Sequence, residues 1–193
     1  MPRTREFDPA TALDDAMQVF WHKGFADTSI DDLVNATGVS RYGLYDEFGS
    51  KRGLFNAALK NYQEKQISSV VADLEGADAS LSEIYQFFEM FICEPHSEEG
   101  QKGCLMCNTL TEEAAWDKEC VAQLKAYQKG LRETFRRALE NAIYKGELSA
   151  KADPLEMANY LLGVTVASST MCRQPADENA VSDFVRSAIS RLV

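Results

Sequence analysis

The sequence of 193 residues has few of the residues and motifs on which most enzymes depend. It contains only two histidines. It has no glycine-rich loop of the kind that holds phosphates, and no serine, histidine and aspartate in a spacing that supports nucleophilic catalysis. The adjacent acidic residues Glu112 and Glu113 are typical of a solvated face. We therefore predict that the protein is not an enzyme and needs no cofactor.

The sequence also lacks long hydrophobic runs. No apolar stretch approaches the roughly 18 residues that would indicate a membrane-spanning helix. Residues 1–12 lack the apolar segment of a secretory signal. We expect a cytoplasmic protein with no membrane partner. With 45% apolar and 26% charged residues, the chain has the composition of a globular protein rather than a disordered one.

Five cysteines are present, and a chain without an export signal should keep them reduced. Cys104 and Cys107 are three residues apart, so they would share one face of a helix. They could form a redox pair or half of a zinc site, but zinc would need two more ligands at a suitable spacing. Buried thiols that act as small apolar side chains are the commoner outcome. We predict no metal site.

Positive charge is scarce as well. The net charge is −10, and residues 1–55 hold six basic and nine acidic residues. Because affinity for nucleic acids rests largely on neutralising phosphates, composition alone argues against DNA binding. The positions of the basic residues argue the other way. Arg3 and Arg5 lie on an N-terminal arm, Arg41 lies at the start of a short predicted helix, and Lys51 lies at the start of the next helix.

The strongest local signals of the chain fall in residues 28–55. Ser29, followed three residues later by Asp32, predicts a capping box at the start of a helix. Gly38 is suited to the left-handed conformation that ends a helix. Ser40 then caps a second helix. A helix, a short glycine-containing turn and another helix form the arrangement that places the second helix in the major groove of DNA.

One pattern extends through this stretch without gaps. Its residues are Ala36, Thr37, Gly38, Val39, Ser40, Leu44, Tyr45, Phe48, Ser50, Lys51, Leu54 and Phe55. The pattern resembles the DNA-binding domain of the TetR/AcrR family, whose members are ligand-responsive bacterial transcriptional regulators. The resemblance implies a DNA-binding N-terminal domain, and a C-terminal domain that binds a small molecule.

The helix that follows Ser40 would contact the DNA bases. Arginine can make bidentate contacts to guanine or phosphate. The matching positions in the family support Tyr45 and Lys51 in particular. Two residues depart from the family's pattern: many relatives have a neutral or basic residue where Glu47 stands, and Asp46 adds a second negative charge. Both charges would repel phosphate. The predicted DNA-binding residues are Arg3, Arg5, Ser29, Ser40, Arg41, Tyr42, Gly43, Tyr45 and Lys51.

Helical periodicity continues from residue 80 to the end of the chain, without convincing strand alternation. A long helix from residue 51 to about residue 74 connects the two parts. The sequence predicts an all-α protein of about nine helices. Residues 1–52 would form a three-helix DNA-binding domain with a helix-turn-helix, and residues 53–193 a helical ligand-binding and dimerisation domain.

The resemblance implies a small-molecule pocket among the C-terminal helices. Such pockets are mostly apolar with a few polar groups. We therefore expect an apolar or amphipathic effector. The predicted lining residues are Tyr85, Phe88, Phe91, Met106, Asn108, Trp116, Tyr127 and Met171.

The last two predicted helices carry apolar faces that could form a dimer interface. Two such helices from each subunit could build a four-helix bundle. The alternative is that both faces are buried within one chain. The resemblance favours a homodimer, because an operator needs two reading helices about 34 Å apart. The predicted interface residues are Leu155, Ala158, Leu162, Val166, Val181, Phe184, Val185 and Ala188.

Together these patterns predict a ligand-responsive transcriptional regulator. It would act as a repressor rather than an activator, bind a palindromic double-stranded DNA operator as a homodimer, and be released by a small-molecule effector. Two alternatives remain open. One is a thiol redox-sensing regulator that uses Cys104 and Cys107. The other is a helical protein-interaction module that does not bind DNA.

Overall fold

A computed structural model of the chain describes residues 7–93, 100–173 and 179–192. A π-helical segment joins α4 to α5 without a break, and with these three counted as one, the described residues contain nine α-helices and no strand. The all-α prediction is therefore confirmed. No helix in these residues is long and apolar enough to cross a membrane. The elements are α1 (Pro9–Lys23), α2 (Ile30–Thr37), α3 (Arg41–Phe48), α4 (Lys51–Tyr62), the π segment (Gln63–Ile67), α5 (Ser68–Val71), α6 (Leu81–Cys93), α7 (Leu105–Leu110), α8 (Lys118–Tyr144), α9 (Pro154–Cys172) and α10 (Ala180–Ile189).

The helix-turn-helix formed by α2 and α3 has the predicted caps. The Ser29 hydroxyl accepts a hydrogen bond from the Asp32 N–H at 3.1 Å, and the Asp32 carboxylate accepts one from the Ser29 N–H at 2.8 Å. Gly38 ends α2 with a φ of 67°, a left-handed conformation that strains residues with a side chain. The Ser40 hydroxyl then caps α3. The local sequence therefore determines where α2 begins and ends and where α3 begins.

A small core holds α1 to α4 together. Phe20 of α1 and Phe55 of α4 are both fully buried, and their rings meet edge to face with centroids 5.0 Å apart. Leu33 of α2 and Leu44 of α3 are buried in the same core. Burying each of these side chains stabilises the fold by about 1.5–3 kcal/mol. Since α2 and α3 are short, this packing rather than helix propensity keeps them folded.

The connecting helix made by α4, the π segment and α5 joins the two parts of the chain. It packs on α1 along one side and on α8 along the other. The predicted domain boundary between residues 52 and 53 lies in the first turn of α4, and this division stays a prediction. A π segment is rare and is frequently found at functional sites. The sequence predicts a continuous helix here and carries no signal for the change in hydrogen bonding.

The C-terminal helices pack around α8, which is 27 residues long. Helix α9 packs along α8, and α10 packs against α6 and α9. An aromatic cluster joins α6 to α8. Phe88 and Phe135 are stacked with centroids 5.9 Å apart, and Phe87 meets Phe135 edge to face at 5.3 Å. The aromatic residues of α6 therefore serve mainly to hold α6 on α8.

The first turn of α4 lies so close to the end of α3 that residue 53 should not tolerate a side chain. A Cβ atom on Gly53 would lie 2.1 Å from the backbone oxygen of Phe48, so the backbone would have to move. We expect Gly53→Ala to lower the free energy of unfolding by about 2 kcal/mol or more, measured by urea denaturation. Gly130→Ala on α8 is the control, because open space surrounds Gly130 and alanine should stabilise that helix by about 0.5–1 kcal/mol. Equal effects of the two substitutions would contradict this account.

Candidate functional site

The exposed face of α3 carries two tyrosines and an arginine. The Tyr42 residue is 72% exposed and Tyr45 is 39% exposed, whereas Leu44 is 1% exposed and anchors α3 in the core. Exposed aromatic groups of this kind are typical of an interaction surface. Arg41 forms an ion pair with Asp31 at 3.1 Å, and both side chains are exposed. Because exposed ion pairs contribute little free energy, Arg41 can exchange this partner for a phosphate or a base.

The other predicted DNA-binding residues have structural roles as well. The hydroxyl groups of Ser29 and Ser40 are the caps of α2 and α3. A Cβ atom on Gly43 would lie 2.9 Å from the side chain of Val39, so α3 packs closely on the turn before it. Both serines are exposed beside the face of α3 and remain within reach of a ligand there.

Lys51 is not a free surface charge. Its ammonium lies over the ring of Phe25, 4.5 Å from the centroid, and burial lowers its pKa. A cation held against an aromatic face keeps its charge at a fixed place. Lys51 therefore marks the N-terminal end of α4 with a positioned positive charge. Arg3 and Arg5 lie outside the described residues.

A cavity of about 260 Å³ lies where α1, the connecting helix, α6, α8 and α9 meet. Its wall is largely apolar and aromatic, with a few polar groups such as those of Gln66, Cys104 and Thr165. This combination is typical of a small-molecule site. Its aromatic lining residues are Trp21, Tyr62, Phe87, Phe91 and Tyr127.

Two of the eight predicted ligand-binding residues line the cavity, and six do not. Phe91 and Tyr127 line it, but Phe88 and Met106 are fully buried in the packing between helices. The Asn108 amide donates to the backbone oxygen of Lys102. The lining differs from the predicted set because an aromatic stripe on a helix does not show which of its members face a void. Tyr85 and Met171 also lie outside the cavity lining, and Trp116 lies at a separate shallow depression, with its indole N–H bonded to the backbone oxygen of Thr109.

The prediction missed the contribution of the N-terminal part to the cavity. Trp21 of α1 and Tyr62 of α4 form one wall, with their rings edge to face and centroids 4.9 Å apart. The π segment adds Gln66 and Ile67. Periodicity places Tyr62 and Ile67 on the apolar side of the connecting helix, but it cannot show that this side faces a cavity.

Two thiols and two phenols meet at the wall of the cavity. The Cys104 sulfur lies 3.9 Å from the Tyr127 hydroxyl, and the Cys107 sulfur lies 3.5 Å from it. A hydrogen bond from the Cys107 thiol, with further bonds from Tyr62 and Tyr127, lowers the pKa of Cys104 to about 6. The same bond raises the pKa of Cys107. Cys104 is therefore the more reactive thiol at neutral pH. Within the described residues no group of three or more His, Cys, Asp or Glu side chains is placed to hold a metal ion.

The segment between α7 and α8 is bonded directly to the N-terminal helices. The Glu112 carboxylate accepts hydrogen bonds from the N–H groups of Phe25 and Ala26, at 3.0 and 2.6 Å. Arg52 donates to the backbone oxygens of residues 114 and 115, at 3.1 and 2.7 Å. We call these four hydrogen bonds the junction. Since α7 begins next to Cys104, the junction connects the cavity wall to the turn before α2.

Half of the predicted dimer-interface residues are buried inside the chain. Ala158 lies on the buried side of α9, and three residues of α10 are packed against α6 and α9. These four residues are Ala158, Val181, Val185 and Ala188. They are at most 4% exposed, so a second subunit could not contact them in this arrangement of the chain. Leu155, Leu162, Val166 and Phe184 remain at least partly exposed.

Comparisons with known proteins agree with this arrangement. Residues 12–58 match the family model described as bacterial regulatory proteins of the tetR family. Residues 80–188 match the one described as a tetracyclin repressor-like C-terminal domain. The uncharacterized HTH-type transcriptional regulator YezE of Bacillus subtilis is 31% identical over 193 residues, which cover 100% of both chains. The HTH-type transcriptional repressor ComR of Escherichia coli is 30% identical over 175 residues, covering 90% of this chain and 83% of ComR.

A solved structure is similar over nearly the whole chain. It is a cysteine mutant of the TetR family transcriptional regulator CifR in complex with a 26-base-pair double-strand operator DNA. It has a TM-score of 0.82 and 27% sequence identity, and the match covers 99% of this chain and 100% of CifR. The two family models and the full-length relatives show that this chain belongs to the TetR family of bacterial transcriptional regulators.

Proposed function

We propose that the protein is a homodimeric repressor that binds a palindromic operator through α3, and that a small molecule in the cavity releases it. The observation that carries this proposal is the exposed group of Arg41, Tyr42 and Tyr45 on a helix whose other face is anchored by Leu44. The description of ComR as a repressor and the operator DNA bound to CifR support the same role for this chain.

The exposed face of α9 is the proposed dimer contact. Leu155 is 50% exposed and Tyr160 is 43% exposed. Gly163 lies between them and Val166, and a Cβ atom there would meet no atom within 4 Å. A glycine inside a helix costs about 0.5–1 kcal/mol relative to alanine. Close approach by a helix of a second subunit would offset that cost. Phe184 of α10 lies partly exposed beside this face and extends it.

The junction is the proposed route from the cavity to α3. A ligand changes the affinity for DNA only if it binds better to one arrangement of the N-terminal helices than to the other. Trp21 of α1 lines the cavity, and its indole N–H donates to the Gly103 backbone oxygen at 2.8 Å. A ligand that moves this wall therefore acts on α1 directly and on the turn before α2 through Glu112.

The DNA-reading role of α3 predicts the effect of removing its exposed side chains. Arg41→Ala, Tyr42→Ala and Tyr45→Ala should each weaken operator binding by about 1–3 kcal/mol, because each removes a contact to phosphate or base. Gel-shift titrations with DNA upstream of the protein's own gene, over a range of salt concentrations, measure this. Tyr144→Ala is the control, since Tyr144 is 93% exposed but lies at the end of α8. Unchanged binding by all three α3 variants would sink the assignment of the reading helix.

The dimer contact predicts different effects at two similar glycines. Gly163→Glu should convert the dimer to a monomer and weaken operator binding, because it places a charge at the centre of the contact. Gly130→Glu is matched to it, since Gly130 is also a helical glycine with open space around it. It should leave the dimer intact. Sedimentation or light scattering of both variants decides the point, and a dimeric Gly163→Glu variant would refute the proposed contact.

The junction predicts a local loss of order when Glu112 is removed. Glu112→Ala removes the acceptor of the Phe25 and Ala26 N–H groups, and the net loss of two partly exposed hydrogen bonds is about 1–3 kcal/mol. We expect faster hydrogen exchange of residues 24–30, measured by mass spectrometry on peptides. Glu113→Ala is the control, because Glu113 is the exposed neighbour. If both variants exchange like the original protein, the junction does not hold the turn.

A further inference from the structure

Cys104 and Cys172 both line the cavity, yet their surroundings differ. Cys104 is partly exposed and lies among the hydroxyl groups of Tyr62 and Tyr127 and the thiol of Cys107. Cys172 is buried, and its burial raises its pKa. The two thiols of the cavity therefore differ in reactivity, because hydrogen bonds favour the ionised form of Cys104 and lower its pKa, whereas burial disfavours the ionised form of Cys172 and raises its pKa.

The hydroxyl groups around Cys104 can also donate hydrogen bonds to a carbonyl oxygen. Tyr62 and Tyr127 are each 4% exposed and line this wall, and the Tyr127 hydroxyl lies 3.9 Å from the Cys104 sulfur. A nucleophile beside two O–H donors fits a substrate in which negative charge develops on oxygen as the nucleophile adds. A conjugated carbonyl compound has this property.

We propose that Cys104 is a covalent receptor for small α,β-unsaturated carbonyl compounds that enter the cavity, and that the adduct releases the protein from its operator. The second half of the proposal rests on the function proposed above. The first half, the reaction at Cys104, does not depend on DNA binding.

The step needs no additional reagent. The thiolate sulfur of Cys104 forms a bond to the β-carbon of the electrophile, and the electron pair of the C=C bond moves to give an enolate. The hydroxyl groups of Tyr62 and Tyr127 stabilise the enolate oxygen, and water then protonates the α-carbon. The hydroxide left by that water is neutralised by the proton that the Cys104 thiol released to solvent on ionisation, so the sum is the addition of S–H across the double bond, with no leaving group and no external oxidant or reductant. The product is an uncharged thioether.

The apolar wall and the volume of the cavity favour an organic electrophile over a peroxide. Its wall is mostly apolar, so it takes up apolar molecules from water. A volume of about 260 Å³ lies at the small end of ligand pockets. Peroxide would instead oxidise Cys104 and lead to a disulfide with Cys107, and this outcome is a separate arm of the test.

An adduct would act where the cavity meets the junction. The Cys104 N–H donates to the Ser169 hydroxyl at 2.7 Å, and the Gly103 backbone oxygen accepts from Trp21. A Cβ atom on Gly103 would lie 2.6 Å from the backbone oxygen of Ser169, so the chain has no room to shift toward α9. The added volume of an adduct would therefore be accommodated by movement of α1 or α7 rather than of α9.

The test measures adduct formation and DNA binding in parallel. The full-length protein, Cys104→Ala and Cys172→Ser are each treated with cyclohexenone, and intact mass with peptide mapping locates the adduct. Operator affinity is measured before and after treatment, so that each variant is its own reference. We expect one adduct, on Cys104, and an affinity about 5- to 150-fold weaker in the original protein and in Cys172→Ser. Cys104→Ala should not change on treatment.

Two further arms separate the alternatives. Cyclohexanone, which has the same shape but no double bond, should neither modify the protein nor release it. Release by cyclohexanone, an adduct on Cys172, or an adduct on Cys104 without release would each overturn the proposal. Release by hydrogen peroxide with a Cys104–Cys107 disulfide, and none by cyclohexenone, would replace it with disulfide sensing. If the untreated protein does not bind DNA, the proposed function fails, while the mass measurement still decides the reaction at Cys104.

The pH dependence of the reaction separates this thiol from an ordinary one. An ordinary thiol reacts about tenfold faster for each pH unit until the pH reaches its pKa. Because the pKa of Cys104 is lowered to about 6, the rate of adduct formation should level off near neutral pH. A rate that continues to rise about tenfold per unit above neutral pH would contradict a preformed thiolate.

Discussion

The four hydrogen bonds of the junction are the constraint on which the arrangement of the two parts depends. The Glu112 carboxylate satisfies two backbone N–H groups at the turn that follows α1, and Arg52 satisfies two backbone oxygens next to α8. Both side chains bond to backbone of the other part, so neither contact can persist if the parts move independently. Because Lys51 and Arg52 also lie over the ring of Phe25, the start of α4 and the turn before α2 are held as one unit.

The connecting helix gives this unit its link to the cavity. Its first turn supplies Arg52 to the junction, and its π segment supplies Gln66 and Ile67 to the cavity wall. A π segment is rare and is often found at functional sites. A return of this segment to α-helical hydrogen bonding would rotate the residues that follow relative to those that precede. A ligand in the cavity therefore contacts the connecting helix at the point where its hydrogen-bonding pattern changes.

The sequence predicts the parts of this fold that depend on neighbours along the chain. Ser29, Asp32 and Gly38 define α2 because a capping box and a left-handed C-cap are local structures. The cavity could not be predicted in the same way, because it depends on how α1, α6 and α8 are spaced, and periodicity gives only which side of a helix is apolar. Phe88 and Phe91 belong to one stripe, yet the first is core and the second lines the cavity.

The free energy that the junction contributes is suited to a switch between two arrangements of the N-terminal helices. An intramolecular hydrogen bond contributes about 0.5–1.5 kcal/mol net, so the four bonds together hold the N-terminal unit with roughly 2–6 kcal/mol. Typical coupling between an effector and DNA is about 1–3 kcal/mol. A ligand that weakens only part of the junction therefore supplies enough free energy to change operator affinity. A net charge of −10 makes this easier, because long-range attraction to DNA adds little and operator binding would then rest on short-range contacts.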